Sequence, residues 1–109
     1  MTEALYLPET LTRADVDALP GVAVVEFGTN GCGHCQAAQP LISEVVADYP
    51  QVRRIKVEDG RGRRLGRSFR VKLWPTLVFI RGGQEVARLV RPTRASDIEE
   101  AFEAATRQG

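Results

Sequence analysis

The pattern of apolar and polar residues predicts a strand followed by a helix. Residues 22–27 are almost continuously apolar and rich in valine, which is typical of a central strand that is covered on both faces. In residues 38–49 the apolar side chains recur at the spacing of one helix face. Pro40 lies within this helix pattern and removes one backbone donor, so we expect the helix to bend there.

Weaker patterns predict further elements around this unit. Residues 4–7 suit a short strand, and Thr12 followed by Asp15 has the spacing of a helix N-terminus. Residues 54–57 alternate between basic and apolar side chains, which is typical of a strand. Residues 65–69 suit a short helix, although neighbouring glycines weaken it.

The last third of the chain predicts a hairpin and a closing helix. Residues 76–80 and 86–90 are largely apolar and lie on either side of a segment with two glycines, which is typical of an antiparallel hairpin. Ser96 and Glu99 have capping-box spacing, and an apolar stripe accompanies them. We therefore predict one α/β domain over residues 1–109, with helices covering a mixed sheet.

The size and cysteine content limit how this domain is stabilised. The chain has 109 residues and a mass of 12.0 kDa, and a chain of this length buries roughly two-thirds of its unfolded surface. Its two cysteines, Cys32 and Cys35, stand too close together to act as a disulfide scaffold. Neither an apolar stretch of membrane-spanning length nor a signal-peptide pattern is present, so we expect no membrane association and a cytoplasmic location.

The basic residues are concentrated in one stretch. From Arg53 to Lys72 nine basic residues stand against Glu58 and Asp59, a local charge of +7 in a chain whose net charge is +1. The stretch is either a steering patch for an acidic protein partner or nucleic acid, or a solvated face. Phe69 is its only aromatic residue, so nucleic-acid binding is not favoured.

Candidate chemistry is concentrated in Cys32-Gly33-His34-Cys35, between the central strand and the helix. A cysteine at a helix N-terminus lies near the positive end of the helix dipole and near free backbone N–H groups, which favour the thiolate. Cys32 has this position, whereas Cys35 lies one turn further in and is expected to be more buried. The pair can therefore cycle between dithiol and disulfide, with Cys32 attacking a substrate disulfide and Cys35 releasing the mixed disulfide.

Two other interpretations of the cysteines are weaker. A zinc site normally needs four ligands, but the chain offers only Cys32, Cys35 and its sole histidine, His34, which is wedged between them. We therefore predict no metal site. Packing of both cysteines as small apolar side chains does not explain their place at a strand–helix junction.

Taken together, these features resemble the thioredoxin family over nearly the whole chain. The resemblance is carried by Glu26-Phe27, Cys32-Gly33-His34-Cys35, Pro40, Lys56, Trp74-Pro75-Thr76 and the terminal helix. It implies a thioredoxin fold, with three layers in the order αβα around a central mixed sheet of four to five strands. It also implies a cis peptide bond before Pro75, facing the cysteines, and a substrate segment held along the Trp74-Pro75-Thr76 backbone. Without the cysteines, a trans proline in a turn would be the simpler interpretation.

The residues between the cysteines, Gly33 and His34, bear on the direction of electron flow. Cys-Gly-His-Cys resembles the active site of protein disulfide isomerases, whereas family members with proline at the His34 position tend to be reductants. A protonated His34 stabilises the Cys32 thiolate and hence the reduced form, which makes the disulfide a stronger oxidant. The alternative is that His34 is exposed and uninvolved.

An acid, Glu26, interrupts the apolar central strand. Burial of this side chain is costly unless it is paired or protonated, so we expect it to exchange a proton with Cys35. The resemblance places Glu26 where the family has a buried aspartate, and Lys56 where a lysine approaches that acid. The alternative is that Glu26 reaches solvent at the end of the strand.

Several positions depart from the family pattern. Gly28 and Gly31 replace tryptophans, so the rim of the site is expected to be smaller and more flexible. Trp74 replaces a branched aliphatic residue, and it either restores an aromatic contact surface or packs as a partly buried side chain. Arg91-Pro92 replaces a glycine, which is expected to alter the docking of protein substrates and of a thioredoxin reductase.

The sequence therefore predicts a monomeric thiol–disulfide oxidoreductase that acts on protein disulfides or dithiols, without a metal or organic cofactor. Its electron donor would be a thioredoxin reductase or another dithiol donor. A general reductant, an isomerase-like oxidant and a dedicated partner of one enzyme all remain open. The rival interpretation is a non-catalytic thioredoxin-like interaction module, which would keep its binding after both cysteines were replaced by serine.

Overall fold

Strand β1 (Val22–Gly28) lies inside the sheet, as its apolar run predicts. In the computed structural model, which describes residues 5–107, β1 pairs in parallel with β2 (Arg53–Glu58) and antiparallel with β3 (Thr76–Arg81). The fourth strand, β4 (Gln84–Val90), forms the predicted hairpin with β3. The strand order is β2-β1-β3-β4, which is a mixed sheet with β1 between β2 and β3.

The helices cover both faces of this sheet. Their ranges are α1 (Arg13–Asp17), α2 (Gly33–Val46), α3 (Arg64–Ser68) and α4 (Ala95–Thr106). Apolar side chains of α2 and α4 pack in one cluster with Val24, and those of α1 and α3 pack in another with Val25. Because neighbouring residues of a strand point to opposite faces, the two clusters form two separate cores. The predicted three-layer thioredoxin fold is confirmed, with four strands in the sheet.

Aromatic contacts join the layers. On one face, the ring of Phe102 lies 4.9 Å from that of Phe79 in an edge-on arrangement and 5.0 Å from that of Tyr49. On the other face, the rings of Phe27 and Phe69 lie 5.8 Å apart. Such pairs add specific geometry to the apolar burial that holds helices on the sheet.

Two predicted elements have a different extent in the structure. Of the predicted strand 4–7, residue 4 lies outside the described residues, and Leu7 forms one parallel bridge with Val57 on the outer side of β2. Helix α2 runs from Gly33 through Pro40 as one element, so the cysteines share a helix with its apolar face. The bend expected at Pro40 stays a prediction.

The two predicted helix caps have opposite outcomes. Thr12 and Asp15 form a complete capping box, with the Thr12 side chain accepting from the Asp15 backbone N–H at 3.1 Å. The box predicted from Ser96 is wrong because α4 begins at Ala95 and its N-cap residue is Arg94, which makes no side-chain cap bond. Ser96 therefore lies inside the first turn of α4, where its side chain is not in the N-cap position.

Replacing each hydroxyl residue by alanine should separate the true cap from the apparent one. We expect Thr12→Ala to lower the free energy of unfolding by about 1 kcal/mol, because it leaves a backbone donor of α1 without its partner. Ser96→Ala should change this free energy by less than about 0.5 kcal/mol. Urea denaturation followed by circular dichroism measures both, and equal losses would contradict the assignment of the caps.

Candidate active site

Cys32 and Cys35 occupy the start of α2, directly after the loop that follows β1. Cys32 is the N-cap residue of the helix, and its Sγ accepts a hydrogen bond from the Cys35 backbone N–H at 3.1 Å. The two cysteines are not joined by a disulfide; Cys32 is partly exposed and Cys35 is 1% exposed. The helix start and this N–H group both favour negative charge on the outer sulfur. The predicted division into an accessible and a buried cysteine is therefore present in the geometry.

The buried thiol is held in its protonated form. Removal from water, together with the neighbouring Cys32 sulfur, raises the pKa of Cys35 to about 11. Near neutral pH, Cys35 therefore needs a group that removes its proton before it can act as a nucleophile.

Trp74, Pro75 and Thr76 lie opposite the outer cysteine. The Trp74–Pro75 peptide bond is cis, as the family resemblance implies. The Trp74 carbonyl oxygen lies 3.9 Å from Cys32 Sγ, and the Thr76 hydroxyl donates to the Leu73 carbonyl at 2.6 Å. The backbone that was predicted to hold a substrate segment therefore borders the reactive sulfur.

Arg91 modifies this backbone surface. Its Nε donates to the Trp74 carbonyl at 2.8 Å, and its backbone N–H donates to the Pro75 carbonyl at 2.9 Å. A carbonyl oxygen has two lone pairs, and the Trp74 oxygen uses the second to accept from the Cys32 thiol at 3.9 Å. The arginine that departs from the family pattern thus contacts the predicted substrate-binding backbone directly.

The Trp74 indole is half-buried and has a fixed partner. Its Nε1 donates to Asp59 Oδ2 at 2.9 Å. The Asp59 carboxylate packs against Gly66, where an added Cβ would lie 2.2 Å from Oδ1. Asp59 and Gly66 therefore fix the ring orientation, and sequence reasoning assigned neither of them to the site.

Glu26 is completely buried beneath the cysteines, so the alternative in which it reaches solvent is wrong. Its Oε1 accepts from Nε and Nη2 of Arg54, at 3.0 and 2.8 Å. Its Oε2 accepts from Gln39 Nε2 at 2.6 Å and from the Tyr6 hydroxyl. Four donors and one opposite charge offset the cost of removing this carboxylate from water.

Lys56 belongs to the same network, as the resemblance implies. Its Nζ donates to Gln39 Oε1 and lies 4.5 Å from the centre of the Tyr6 ring. The ion pair with Glu26 found in the structure, however, is formed by Arg54. Arg54 and Lys56 are two residues apart on β2 and therefore point to the same face, which is the signal in the sequence that could have revealed Arg54.

Tyr6 is the main site residue that sequence reasoning missed. Tyr6 is 4% exposed, its hydroxyl donates to Glu26, and both that hydroxyl and the Cys35 thiol border the Cβ position of Gly28. Burial, followed by the charge of Glu26, raises the pKa of Tyr6 well above its usual value, so the phenol keeps its proton. Asn30 holds the Tyr6 backbone by two hydrogen bonds, at 2.9 and 3.2 Å.

Gly28 makes room for this arrangement. A Cβ at position 28 would lie 2.7 Å from Cys35 Sγ and 2.7 Å from Cζ of Tyr6, distances that real Cβ atoms do not show. The glycine that replaces a family tryptophan therefore lets the Tyr6 ring occupy the space next to the buried thiol. The Tyr6 ring, from the segment before α1, therefore occupies the space that glycine leaves at this part of the rim.

Gly33 and His34 face outward between the cysteines. An added Cβ at Gly33 would meet no atom within 4 Å, so no close contact requires glycine there. The exposed His34 side chain borders a small cavity of about 150 Å³, whose lining also includes Arg91 and Pro92. His34 therefore lies at the solvent-exposed surface of the site, next to Arg91 and Pro92.

Comparison with known proteins agrees with this geometry. Residues 9–104 match the family model described as thioredoxin. Thioredoxin 2 from Pseudomonas aeruginosa, solved in its reduced form, is 61% identical with a TM-score of 0.86, over 96% of this chain and 97% of that one.

Two curated relatives are more distant. A thioredoxin of Oryza sativa subsp. japonica is 33% identical over 69 residues, which are 63% of this chain and 50% of the relative, so the match spans half of that protein's length. A thioredoxin of Aspergillus fumigatus is 30% identical over 80 residues, covering 73% of this chain and 74% of the relative. With its fold, its paired cysteines and its family match over residues 9–104, the chain belongs to the thioredoxin family.

Proposed function

We propose that the protein is a thiol–disulfide oxidoreductase that exchanges disulfides with protein substrates through Cys32 and Cys35. One observation carries the proposal. The partly exposed Cys32 sulfur lies at a helix start, 3.9 Å from the Trp74 carbonyl, with the protonated Cys35 thiol buried behind it. This arrangement gives one sulfur for attack and a second for release.

The first step forms a mixed disulfide. An extended substrate segment lies along Trp74 and Pro75, which brings its disulfide to the Cys32 sulfur. The Cys32 thiolate attacks one substrate sulfur, the substrate S–S bond breaks, and the other substrate sulfur leaves as a thiolate that takes a proton from water.

The second step releases the substrate. Cys35 loses its proton and attacks the Cys32 sulfur of the mixed disulfide. A Cys32–Cys35 disulfide forms, and the remaining substrate sulfur leaves as a thiol after protonation. The protein is oxidised by two electrons and the substrate is reduced by two, so neither step requires a metal or organic cofactor. Glu26 is proposed as the acceptor of the Cys35 proton.

His34 is proposed to set the direction of this exchange. A cationic imidazole next to Cys32 stabilises the thiolate, and therefore the reduced protein, which makes the disulfide more oxidising. The reduction potentials of thioredoxin and of protein disulfide isomerase differ by roughly 90 mV, which is the interval within which this pair should lie.

The proposal also names the partners and the location. Protein disulfides are the oxidants, and a thioredoxin reductase or another dithiol donor returns the protein to its reduced form. We propose that the protein acts as a monomer in the cytoplasm. Arg91, which covers the Trp74 carbonyl, is proposed to favour partners whose backbone or acidic groups can share that arginine.

Equilibration with glutathione buffers tests the redox function. We expect Cys32 and Cys35 to form a mutual disulfide at a potential above about −270 mV, the thioredoxin value, and His34→Pro to lower that potential by tens of millivolts. Alkylation and mass spectrometry measure both. A pair that never forms a disulfide would refute the proposal. Retained binding of a protein partner by the Cys32→Ser, Cys35→Ser variant would then favour the interaction module.

Alkylation as a function of pH tests the roles of the two sulfurs. At pH 7–8 iodoacetamide should label Cys32 much faster than Cys35, whose pKa is raised to about 11 and whose side chain is buried.

The same raised pKa has a consequence for stability. Between the ordinary thiol value and about 11, the folded state binds a Cys35 proton that the unfolded state has lost. The stability of the reduced protein should therefore fall as the pH rises through this range, and less so in Cys35→Ser. In the alkylation experiment described above, labelling of Cys35 before Cys32 would contradict the assignment of Cys32 as the accessible, reactive sulfur.

A further inference from the structure

A cavity of about 440 Å³, here called the basic cavity, lies beside Trp74. Its volume is in the range of ligand-binding sites. Trp74 forms one wall, and five basic side chains line the rest, those of Arg61, Arg63, Arg67, Arg70 and Lys72. This is the part of the predicted basic stretch that the exchange chemistry does not use.

Most of these charges have no acidic partner within the described residues. Arg63 is paired with Glu58 at 2.5 Å. The other four basic side chains form no ion pair within residues 5–107 and are exposed to solvent. By contrast, carboxylates neutralise the arginines on α1, on β4 and at the start of α4. Four positive charges without an ion pair among the described residues therefore lie together at the basic cavity.

Of the described residues that line the cavity, only Asp59 is acidic, and its carboxylate is engaged. One oxygen accepts from the Trp74 indole, and the group packs against Gly66. Asp59 thus orients the Trp74 indole that forms one wall of the cavity. The five basic side chains of the lining still outnumber this single carboxylate. Arg70 adds to that charge from a backbone with φ of 57°, a conformation that residues other than glycine rarely adopt.

Trp74 contacts both the basic cavity and the surroundings of the Cys32 sulfur. Its indole lines the cavity, and its carbonyl lies 3.9 Å from Cys32 Sγ. An extended peptide advances about 3.3–3.6 Å per residue. A substrate segment that passes Trp74 can therefore place side chains in the cavity only a few residues away from its reacting cysteine.

We propose that the basic cavity binds acidic side chains that flank the cysteine of a protein substrate, and so selects acidic substrates for exchange at Cys32. The proposal rests on the proposed function. Arginine and lysine side chains attract carboxylates by their charge and bind them by hydrogen bonds. A single aromatic side chain, already hydrogen-bonded, gives no stack of rings for nucleotide bases.

Two disulfide-linked peptides test this selection. They are identical except that one carries Asp and Glu, and the other Asn and Gln, on either side of the disulfide. We expect the reduced protein to react with the acidic peptide on the order of tenfold faster at low salt, and the advantage to shrink in 0.5 M NaCl.

The triple variant Arg67→Gln, Arg70→Gln, Lys72→Gln should lose the advantage and keep the rate with the neutral peptide. A charge-matched control, Arg53→Gln, Arg94→Gln, Arg107→Gln, removes the same charge from exposed positions outside the cavity. This control should keep the advantage.

Each result bears on one claim. Equal rates for the two peptides, or the same advantage in the triple variant as in the unchanged protein, would overturn the selection of acidic substrates. Binding of a single-stranded oligonucleotide without a peptide preference would overturn it in favour of nucleic acid. Failure of the protein to reduce even the neutral peptide would instead refute the oxidoreductase function, so the two failures are distinguishable.

A second inference rests on separate observations around Tyr6. The Tyr6 hydroxyl donates to Glu26 Oε2. It also lies beside the Cys35 thiol, since a Cβ placed on Gly28 would be 2.9 Å from the Tyr6 hydroxyl oxygen and 2.7 Å from Cys35 Sγ. The space that brings ring and sulfur together exists only because residue 28 is glycine. We infer that Tyr6 is a catalytic residue that relays the Cys35 proton to Glu26.

The relay balances without a free tyrosinate. The Cys35 thiol gives its proton to the Tyr6 oxygen while the Tyr6 hydroxyl gives its own proton to the Glu26 carboxylate. The resulting Cys35 thiolate attacks the mixed disulfide, and the protonated Glu26 later returns its proton to solvent. A cavity of about 210 Å³ lined by Tyr6, Cys35, Gln39 and Lys56 gives this network a route to water.

The charged and titratable groups around the Tyr6 side chain come from several elements. Lys56 of β2 lies over its ring, and Glu26 of β1 accepts its hydroxyl proton. Gln39 of α2 donates to its oxygen at 3.1 Å. Arg54 contacts the far oxygen of Glu26, which leaves the near oxygen to Tyr6 and Gln39.

Reaction of the reduced protein with Ellman's reagent resolves the two steps, because Cys32 releases the first thionitrobenzoate and Cys35 the second. Tyr6→Phe should leave the first phase unchanged and slow the second by on the order of tenfold or more near neutral pH. The difference should narrow as the pH approaches 11, where Cys35 ionises without help. Tyr49→Phe, which alters a ring packed against Phe102, is the matched control.

Combination with Glu26→Gln distinguishes a relay from general disturbance of the site. If the proton passes through both groups, Tyr6→Phe should add little to the slowing that Glu26→Gln produces. Slowing of both phases, or fully additive slowing of the second, would overturn the relay. Asn30→Ala, which loosens the Tyr6 backbone without changing the buried network, should slow the second phase less than Tyr6→Phe.

Discussion

A charged side chain in the middle of the sheet constrains the structure around it. Glu26 is 0% exposed, and a buried carboxylate is tolerated only when donors and an opposite charge surround it. Those partners come from three other segments, through Arg54 of β2, Gln39 of α2 and Tyr6 before α1. Removing one partner of such an ion pair costs roughly 3–5 kcal/mol, so these segments are held together beneath the cysteines. The helix that carries the cysteines is therefore fixed by polar as well as apolar contacts.

On the outer side of the site, Trp74 joins several parts of the structure, as Glu26 does on the buried side. Its carbonyl contacts Cys32 and Arg91, whereas its indole contacts Asp59 at the edge of the basic cavity. One residue thus joins the sulfur chemistry to the surface where charge is concentrated. In the proposed function, Glu26 sets reactivity on the buried side, and the surroundings of Trp74 set recognition on the exposed side.

The sequence predicted those features that depend on local pattern, and it missed those that depend on the approach of distant segments. The four strands and the cysteine-bearing helix start were predictable, since each has its own periodicity or motif. The proline opposite the cysteines was predictable only through the family resemblance. Arg54 was missed because packing on one face of β2 decides whether Arg54 or Lys56 forms the ion pair with Glu26. Tyr6 was missed because a tyrosine near a chain end has no local signal. Ser96 misled because its spacing to Glu99 suits a cap, whereas α4 begins earlier, at Ala95.

The contacts of the N-terminal segment have a practical consequence. Asn30 holds Tyr6 at the redox site, and Leu7 is bonded to the outer side of β2. The family match begins only at residue 9, so the segment that supplies the tyrosine hydroxyl lies outside the part shared with the family model. Loss of this segment would therefore remove from the redox site the hydroxyl that donates to Glu26.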